Sequence, residues 1–484
     1  MSAEAPAKIR FGTDGWRAVI AEGFTFSNLE RVAQAYASFL LHEIARRPSS
    51  AENGSAPLSL VIVGYDRRFL SEHFAARAAE VLAGNGLTVA LYTEPVPTPL
   101  VSWAVREVRA LGGVVITASH NPPEFNGFKI KAPWGGSATA ETTSMVEALV
   151  DAHATRRAPL PLQDSGQFYE ECVASYRAQI SSYVDLERLL RAPLRVIIDP
   201  MHGSGGRWVE SFLTGGVIEA ETIRADRDPL FSGVNPEPID RNLLPLKNRV
   251  RERAAALGLA TDGDADRVGA VNELGETMTM HEVVPLILLH LARRRGMTGG
   301  VVRTFSQSVL TKRISQAHNL PLFETPIGFK YVADLMLREA ILIGAEESGG
   351  IGVSGHIPER DGILNSLLFL EAVVTAGKTP SEMVRDMHRE FGEFYFDRRD
   401  LHMPVERGMA LVVELSRNPP VQIAGYRVSE VETLDGTKLL FEDESWLLFR
   451  QSGTEPVLRV YAEATSIEKR DHLLNEGERL ANSL

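Results

Sequence analysis

The sequence predicts three consecutive α/β units with mixed sheets, followed by a smaller α+β domain, and three observations carry that expectation. Its 484 residues suffice for three or four domains of roughly 100 to 200 residues each. Short apolar runs alternate with amphipathic periods and glycine-punctuated turns, the signature of layered α/β units. Over about the last hundred residues that alternation gives way to closely spaced strand-like runs.

The elements follow in order. Ser27 with Glu30 reads as a capping box, and Leu29, Val32, Ala33, Tyr36 and Leu40 recur at helical spacing, so a helix is expected to begin there. The Ser-, Pro-, Ala- and Gly-rich stretch Arg47–Pro57 reads as a loop. A strand is expected at Leu60–Val63, a helix from Ser71 to Gly84-Asn85-Gly86, a strand at Leu87–Tyr92, a helix over Pro99–Val108 and a strand at Gly113–Thr117, which together suggest a mostly parallel sheet. Leu194–Ile198, entering the glycine-rich Met201–Gly206, opens a second unit. Val301-Val302 and Leu322-Phe323, each followed by a helical pattern, mark a third. Tyr426–Thr433, Lys438–Phe441, Trp446–Phe449 and Leu458–Ala464 are strand-like and separated by turns such as Asp435-Gly436; a charged helix from Ser466 closes the chain.

Composition excludes several classes of function. Lys and Arg total 51 against 63 Asp and Glu, a formal charge of −12 that repels nucleic-acid phosphates, and no basic stripe offsets it. An anionic substrate must then be held by a few converging cations. The single cysteine, Cys172, can form neither an internal disulfide nor a cysteine-built zinc site, which suits a reducing compartment. MSAEAPAKIRFGTDG lacks the apolar core of a signal peptide, and the longest apolar stretches, such as Val283–Leu291, are too short to span a bilayer. A cytoplasmic location without a membrane partner is expected.

Four segments carry chemistry. Thr117-Ala118-Ser119-His120-Asn121-Pro122 follows an apolar strand, where open α/β sheets place ligand sites; taken alone it reads first as an ordinary polar turn. It lacks the G-x-S-x-G of a hydrolase elbow. In Asp262-Gly263-Asp264-Ala265-Asp266-Arg267, alternate carboxylates converge on one spot, tolerable when a hard cation neutralises them. A calcium loop is the rival reading, but its sixth position needs glycine and here is Arg267, and Gly269-Ala270-Val271 continues as strand rather than helix. Three carboxylates leave coordination open for a phosphate oxygen, an arrangement that suits Mg²⁺. Arg450-Gln451-Ser452-Gly453-Thr454-Glu455-Pro456 offers an arginine fork, hydroxyls and a glycine, either a phosphate cradle or a tight turn. Glu346-Glu347-Ser348-Gly349-Gly350 could accept hydrogen bonds from sugar hydroxyls, though a solvated loop would read the same way.

Together with Phe11-Gly12-Thr13-Asp14-Gly15-Trp16-Arg17, these segments occur in an order that resembles the α-D-phosphohexomutases, the phosphoglucomutase, phosphomannomutase and phosphoglucosamine mutase group, over nearly the whole chain. The resemblance implies four domains around a central cleft, expected at 1–157 (phosphoserine loop), 158–276 (metal loop), 277–391 (sugar loop) and 392–484 (phosphate-binding). It implies a phosphorylated Ser119 whose phosphate joins Asp262, Asp264 and Asp266 around Mg²⁺, with Arg267 steadying it, and Arg17 and Lys129 beside the transferring group, Lys129 as general acid or base. It implies that Lys330, in Gly328-Phe329-Lys330, meets the sugar or its phosphate, and that Glu346 and Ser348 grip sugar hydroxyls. Arg450, Ser452, Gly453 and Thr454 would hold the phosphate that is not reacting. The implied reaction interconverts hexose 1- and 6-phosphates, of glucose, mannose or both, through a hexose 1,6-bisphosphate; the alternatives are a phosphoglucosamine mutase, or a sugar phosphatase or bisphosphate synthase using the same serine. Gly349-Gly350 departs from the Gly-His of several members, so Lys330 or His356 is expected to compensate, and the Glu-Glu-Ser-Gly loop and Trp16 favour glucose or mannose over glucosamine.

Overall fold

The computed structural model describes residues 8–12, 15–46, 59–160, 165–453 and 456–483, excluding the side chains of 165 and 166. The chain divides into two units, Met1–Thr277 with Gly349–Val374, and Met278–Ser348 with Thr375–Leu484.

In the first unit, the sheet order is Trp16–Val19, Phe125–Lys131, Gly112–Ile116, Leu60–Tyr65, Thr88–Leu91. The central strands are continuous apolar runs because helices such as Phe26–Arg46, Ser71–Gly84 and Thr98–Glu107 supply the partners that bury them. The sheet is mixed rather than mostly parallel: Leu60–Tyr65 pairs in parallel with both neighbours, whereas Phe125–Lys131 runs antiparallel to Gly112–Ile116 and Trp16–Val19. The first helix also starts earlier than expected. Thr25 caps it, its Oγ1 accepting from Asn28 N at 3.2 Å, and Glu30 instead pairs with Arg77 at 2.6 Å. The loop expected over Arg47–Pro57 lies outside the described residues.

The same design recurs in the second sheet. Arg195–Asp199 pairs in parallel with Glu219–Thr222 and Leu257–Thr261, and Val268–Val271 returns antiparallel. Asp262–Arg267 is thus the turn between two buried strands, as Thr117–Glu124 is in the first sheet, so both segments leave the carboxyl ends of equivalent strands.

In the second unit, Gly300–Thr304 pairs in parallel with Leu322–Thr325 and Ile341–Ala345, the third α/β layer. The C-terminal domain is an antiparallel sheet with Val457–Ala464 between Tyr395–His402 and Trp446–Gln451, covered by helices Val405–Arg417 and Ile467–Ser483. Three α/β domains and an α+β domain are therefore present. Among the described residues, no helix is long and apolar enough to cross a membrane.

Candidate active site

In the first unit the serine and the aspartates meet. Ser119 is buried and takes the left-handed backbone conformation, φ 53°. Its Oγ donates to Asp262 Oδ2 at 2.7 Å. The two loops approach so closely that a side chain at Gly263 would place its Cβ 2.4 Å from the Ser119 carbonyl oxygen, which is why that position is glycine.

Asp262, Asp264 and Asp266 are fully buried, and one carboxylate oxygen from each lies within 4.8 Å of the others. Lys129 Nζ donates to Asp264 Oδ2 at 2.8 Å and Asp266 Oδ2 at 3.0 Å; Thr98 Oγ1 donates to Asp264 Oδ2 at 2.7 Å. Arg360 Nη2 meets Asp266 Oδ2 at 2.9 Å. Protein cations thus occupy the Oδ2 edge, whereas Asp264 Oδ1 and Asp266 Oδ1 make no hydrogen bond among the described residues. A buried carboxylate oxygen without a donor is costly, so this donor set fits a hard cation, which the Oδ1 edge would hold.

Electrostatics divides the triad. Burial, and then repulsion from Asp264 and Asp266, push the Asp262 carboxyl well above its ordinary range. Burial opposes ionisation of Asp264 as well, but Lys129 beside it overcomes that effect and holds its carboxyl below the usual range.

Arg267 donates its backbone N–H to Asp262 Oδ1 at 3.1 Å; its Nε stands 3.9 Å from Asp266 Oδ1 and makes no hydrogen bond among the described residues. Arg17 Nη1 donates to Asn121 Oδ1 at 2.6 Å. The segment after Ser348 closes over this site. Val268 N donates to the Gly349 carbonyl and Gly362 N to the Ala265 carbonyl, each at 3.0 Å, which brings Arg360 to Asp266.

In the second unit, Glu346 is buried and Ser348 half-buried after strand Ile341–Ala345, and Ser306 Oγ donates to Glu347 Oε2 at 2.7 Å. Lys330 lies in the first turn of helix Phe329–Arg338, its Nζ 5.0 Å over the Tyr331 ring. Arg450 Nε donates to Asp435 Oδ2 at 2.9 Å, and the same oxygen accepts from Ile327 N at 2.8 Å, so one carboxylate ties the Arg450 strand to the turn before Lys330. Ser452 is buried, its N–H donating to the Val457 carbonyl at 2.9 Å, and Gly453 faces open space. Thr454 lies outside the described residues.

His356 Nε2 meets Asp361 Oδ2 at 2.9 Å, Tyr176 donates to the same oxygen at 2.7 Å, and the His356 ring stacks on Trp103. Trp16 is a core residue, stacked on Phe24 with ring centroids 4.8 Å apart. Sequence reasoning missed Arg360 and the fully buried pair Asp66 and Arg68 beneath the Ser119 loop. For Asp66 and Arg68 the usable signal was three charged residues, Asp66-Arg67-Arg68, directly after an apolar strand, at its ligand-binding end.

A serine hydroxyl against a buried carboxylate triad, on a fold of three α/β domains and an α+β domain, is an arrangement suited to metal-assisted phosphoryl transfer. Models of four phosphoglucomutase/phosphomannomutase domains match the chain: alpha/beta/alpha domain I at residues 8–157, domain II at 174–275, domain III at 280–391 and the C-terminal domain at 408–477. The chain is 31% identical over 473 residues to a phosphoglucomutase/phosphomannomutase of Thermococcus kodakarensis, covering 97% of this chain and 98% of that one. It is 30% identical over 462 residues to a phosphoglucosamine mutase of Halorhodospira halophila, covering 94% and 92%. A Thermus thermophilus crystal structure named for phosphomannomutase superposes with a TM-score of 0.85 at 37% identity, covering 99% of this chain and 100% of that one. This chain belongs to the phosphoglucomutase/phosphomannomutase family of the α-D-phosphohexomutase superfamily, isomerases that move a phosphoryl group within a sugar phosphate.

Proposed function

We propose that this protein is a cytoplasmic Mg²⁺-dependent mutase that interconverts the 1- and 6-phosphates of glucose, mannose or both through a phosphoserine at Ser119 and a hexose 1,6-bisphosphate. The observation that carries it is the Ser119 hydroxyl, 2.7 Å from Asp262 beside aspartate oxygens that lack donors. Mg²⁺, when bound there, neutralises charge on the transferring group. The chain's own residues do the rest. The Ser119 Oγ–P bond breaks as a sugar oxygen–P bond forms, Arg17, Lys129 and Arg267 offset the charge on the moving group, and Lys129 exchanges the sugar hydroxyl proton. The bisphosphate then turns over, its other phosphate faces Ser119, and the serine is rephosphorylated.

On this reading, one loop per domain acts, with domains at 1–157, 158–276, 277–391 and 392–484. Glu346 and Ser348 grip sugar hydroxyls, Lys330 meets the sugar or its phosphate, and Arg450, Ser452, Gly453 and Thr454 hold the distal phosphate in either orientation. The Asp435 bond to both Arg450 and Ile327 supports joint action of the Lys330 and Arg450 loops. A phosphoglucosamine mutase is the second reading, favoured by the similarity to the Halorhodospira halophila protein.

The test incubates the purified protein with Mg²⁺, trace hexose 1,6-bisphosphate and, separately, glucose, mannose and glucosamine 1-phosphates, following 6-phosphate and free phosphate by ³¹P NMR. Rapid 6-phosphate formation from glucose or mannose without free phosphate is expected. Preference for glucosamine 1-phosphate selects the second reading, and phosphate release without isomerisation overturns both.

A further inference from the structure

We infer that Arg68 is a positioning residue for phosphoryl transfer: from beneath the sheet end it clamps the Ser119 loop in its left-handed conformation and, through Asn121, aims Arg17. This rests on the reading of Ser119 as the phosphoryl carrier.

Arg68 is fully buried, an uncommon place for a guanidinium, and its two terminal nitrogens serve one segment. Nη2 donates to the carbonyls of Ser119 at 2.7 Å and Asn121 at 2.6 Å; Nη1 donates to those of Pro122 at 2.7 Å and Phe125 at 3.1 Å. Nε donates to Asp66 Oδ2 at 3.1 Å. Four carbonyls of a reversing loop therefore converge on one planar fork. A lysine ammonium, with three donors from a single atom, cannot reproduce this.

Asp66 completes the clamp. Its Oδ2 also accepts from Thr117 Oγ1 at 2.6 Å, and Thr117 Oγ1 accepts from Ser119 N at 2.8 Å. Its Oδ1 accepts from Arg68 N at 3.0 Å and Ser71 Oγ at 2.9 Å. Both backbone polar groups of Ser119 are thus held from the protein side, its N–H through Thr117 and its carbonyl by Arg68. A residue with a side chain disfavours positive φ, so the conformation that turns Oγ toward Asp262 persists because its surroundings fix it. The same clamp reaches a second group: Asn121, held by its carbonyl, presents Oδ1 to Arg17 Nη1 at 2.6 Å. Buried polar networks of this kind, with each link satisfied, specify one geometry rather than add much stability.

The guanidinium hydrogen bonds of Arg68 go to Asp66 and to loop carbonyls, so the inference predicts a rate effect without an affinity effect. The test compares wild type with Arg68→Lys, Arg68→Met and Thr117→Val. Each is checked for folding by thermal melting, then loaded on Ser119 with glucose 1,6-bisphosphate. Loading is quantified by intact mass, so that rates are per phosphorylated enzyme, and transfer to glucose 1-phosphate is followed in a single turnover. Expected is a fall of about a hundredfold in the transfer rate for both Arg68 variants, since misplacement of a reacting group by about 1 Å costs that much. Thr117→Val should lose about tenfold, with KM within about threefold of wild type throughout. Transfer at near wild-type rates in the folded Arg68 variants overturns the inference, as does a defect wholly in KM. Should both Arg68 variants fail to fold, Thr117→Val decides alone, and an unchanged rate there overturns it. Ser119→Ala is assayed alongside: turnover in that variant defeats the phosphoserine reading itself, whereas its silence together with active Arg68 variants defeats only this inference.

Discussion

Replacing Asp262 with asparagine should move stability and function in opposite directions. The Asp262 carboxylate is fully buried, accepts from Ser119 Oγ through Oδ2 and from Arg267 N through Oδ1, and shares its site with two further carboxylates. An amide of the same shape keeps both hydrogen bonds, its oxygen accepting from Arg267 N and its Nδ2 donating to Ser119 Oγ. What it removes is repulsion. With ligand atoms no more than 4.8 Å apart, each carboxylate pair repels by at least about 3.5 kcal/mol at an effective dielectric of about 20. Lys129 and Arg360 offset part of this, leaving a net relief of about 1–3 kcal/mol, within the range seen when buried charges are replaced. At about 2–4 °C per kcal/mol, Asp262→Asn should melt roughly 2–12 °C above wild type in chelator.

With Mg²⁺ the order should reverse, because a ligand at a hundred times its dissociation constant stabilises wild type by about 2.7 kcal/mol and the variant has lost a donor. Burial and the neighbouring aspartates raise the Asp262 carboxyl above its unfolded value. The stability associated with its protonated form is therefore complete at low pH and lost as pH rises, so the variant's advantage should be largest near neutrality and shrink in acid. Calorimetry with and without Mg²⁺ at two pH values checks this. A variant that melts below wild type in chelator, or gains as much from Mg²⁺, refutes the reasoning.

Arg450→Ala should weaken 1-phosphate and 6-phosphate substrates alike, by about ten- to a hundredfold for a lost charge-assisted contact, and make turnover depend on added hexose 1,6-bisphosphate; initial rates in both directions measure it. Glu463→Gln should cost the second unit about 2–4 kcal/mol in urea denaturation, since the buried carboxylate accepts from His281 Nδ1, Ser308 Oγ, Val309 N and Trp446 Nε1 and an amide cannot accept from all four. Activity per folded molecule should be unchanged.

Much of the fold was legible because the core strands are unbroken apolar runs between glycine-marked turns, as at Leu60–Tyr65, Gly112–Ile116 and Leu257–Thr261. Phe125–Lys131 escaped notice as a strand because it carries Asn126, Lys129 and Lys131, all buried, where periodicity arguments expect apolar residues. Those polar residues are buried because they have partners distant in sequence: Lys129 has the aspartates, and Lys131 has Glu359 at 2.6 Å. The aspartate turn declared itself through spacing, since alternate residues of an extended loop share a side. Arg68 and Arg360 did not, because what distinguishes a buried guanidinium from a surface one is which carbonyls and carboxylates the fold brings to it. The capping box at Ser27 looked sound locally, yet Thr25 two residues earlier offered the same hydroxyl and took the cap.

The central claim is that Ser119 carries the phosphoryl group between the two positions of the sugar. The most direct measurement treats the protein with ³²P-labelled glucose 1,6-bisphosphate, removes the free label, maps the bound label by peptide mass spectrometry, and then adds unlabelled glucose 1-phosphate. The account predicts about one label per chain, located on Ser119 and chased into hexose bisphosphate and then 6-phosphate within a few turnovers. Isomerisation that proceeds at full rate with no label on Ser119, or a label on Ser119 that substrate cannot remove, would contradict it.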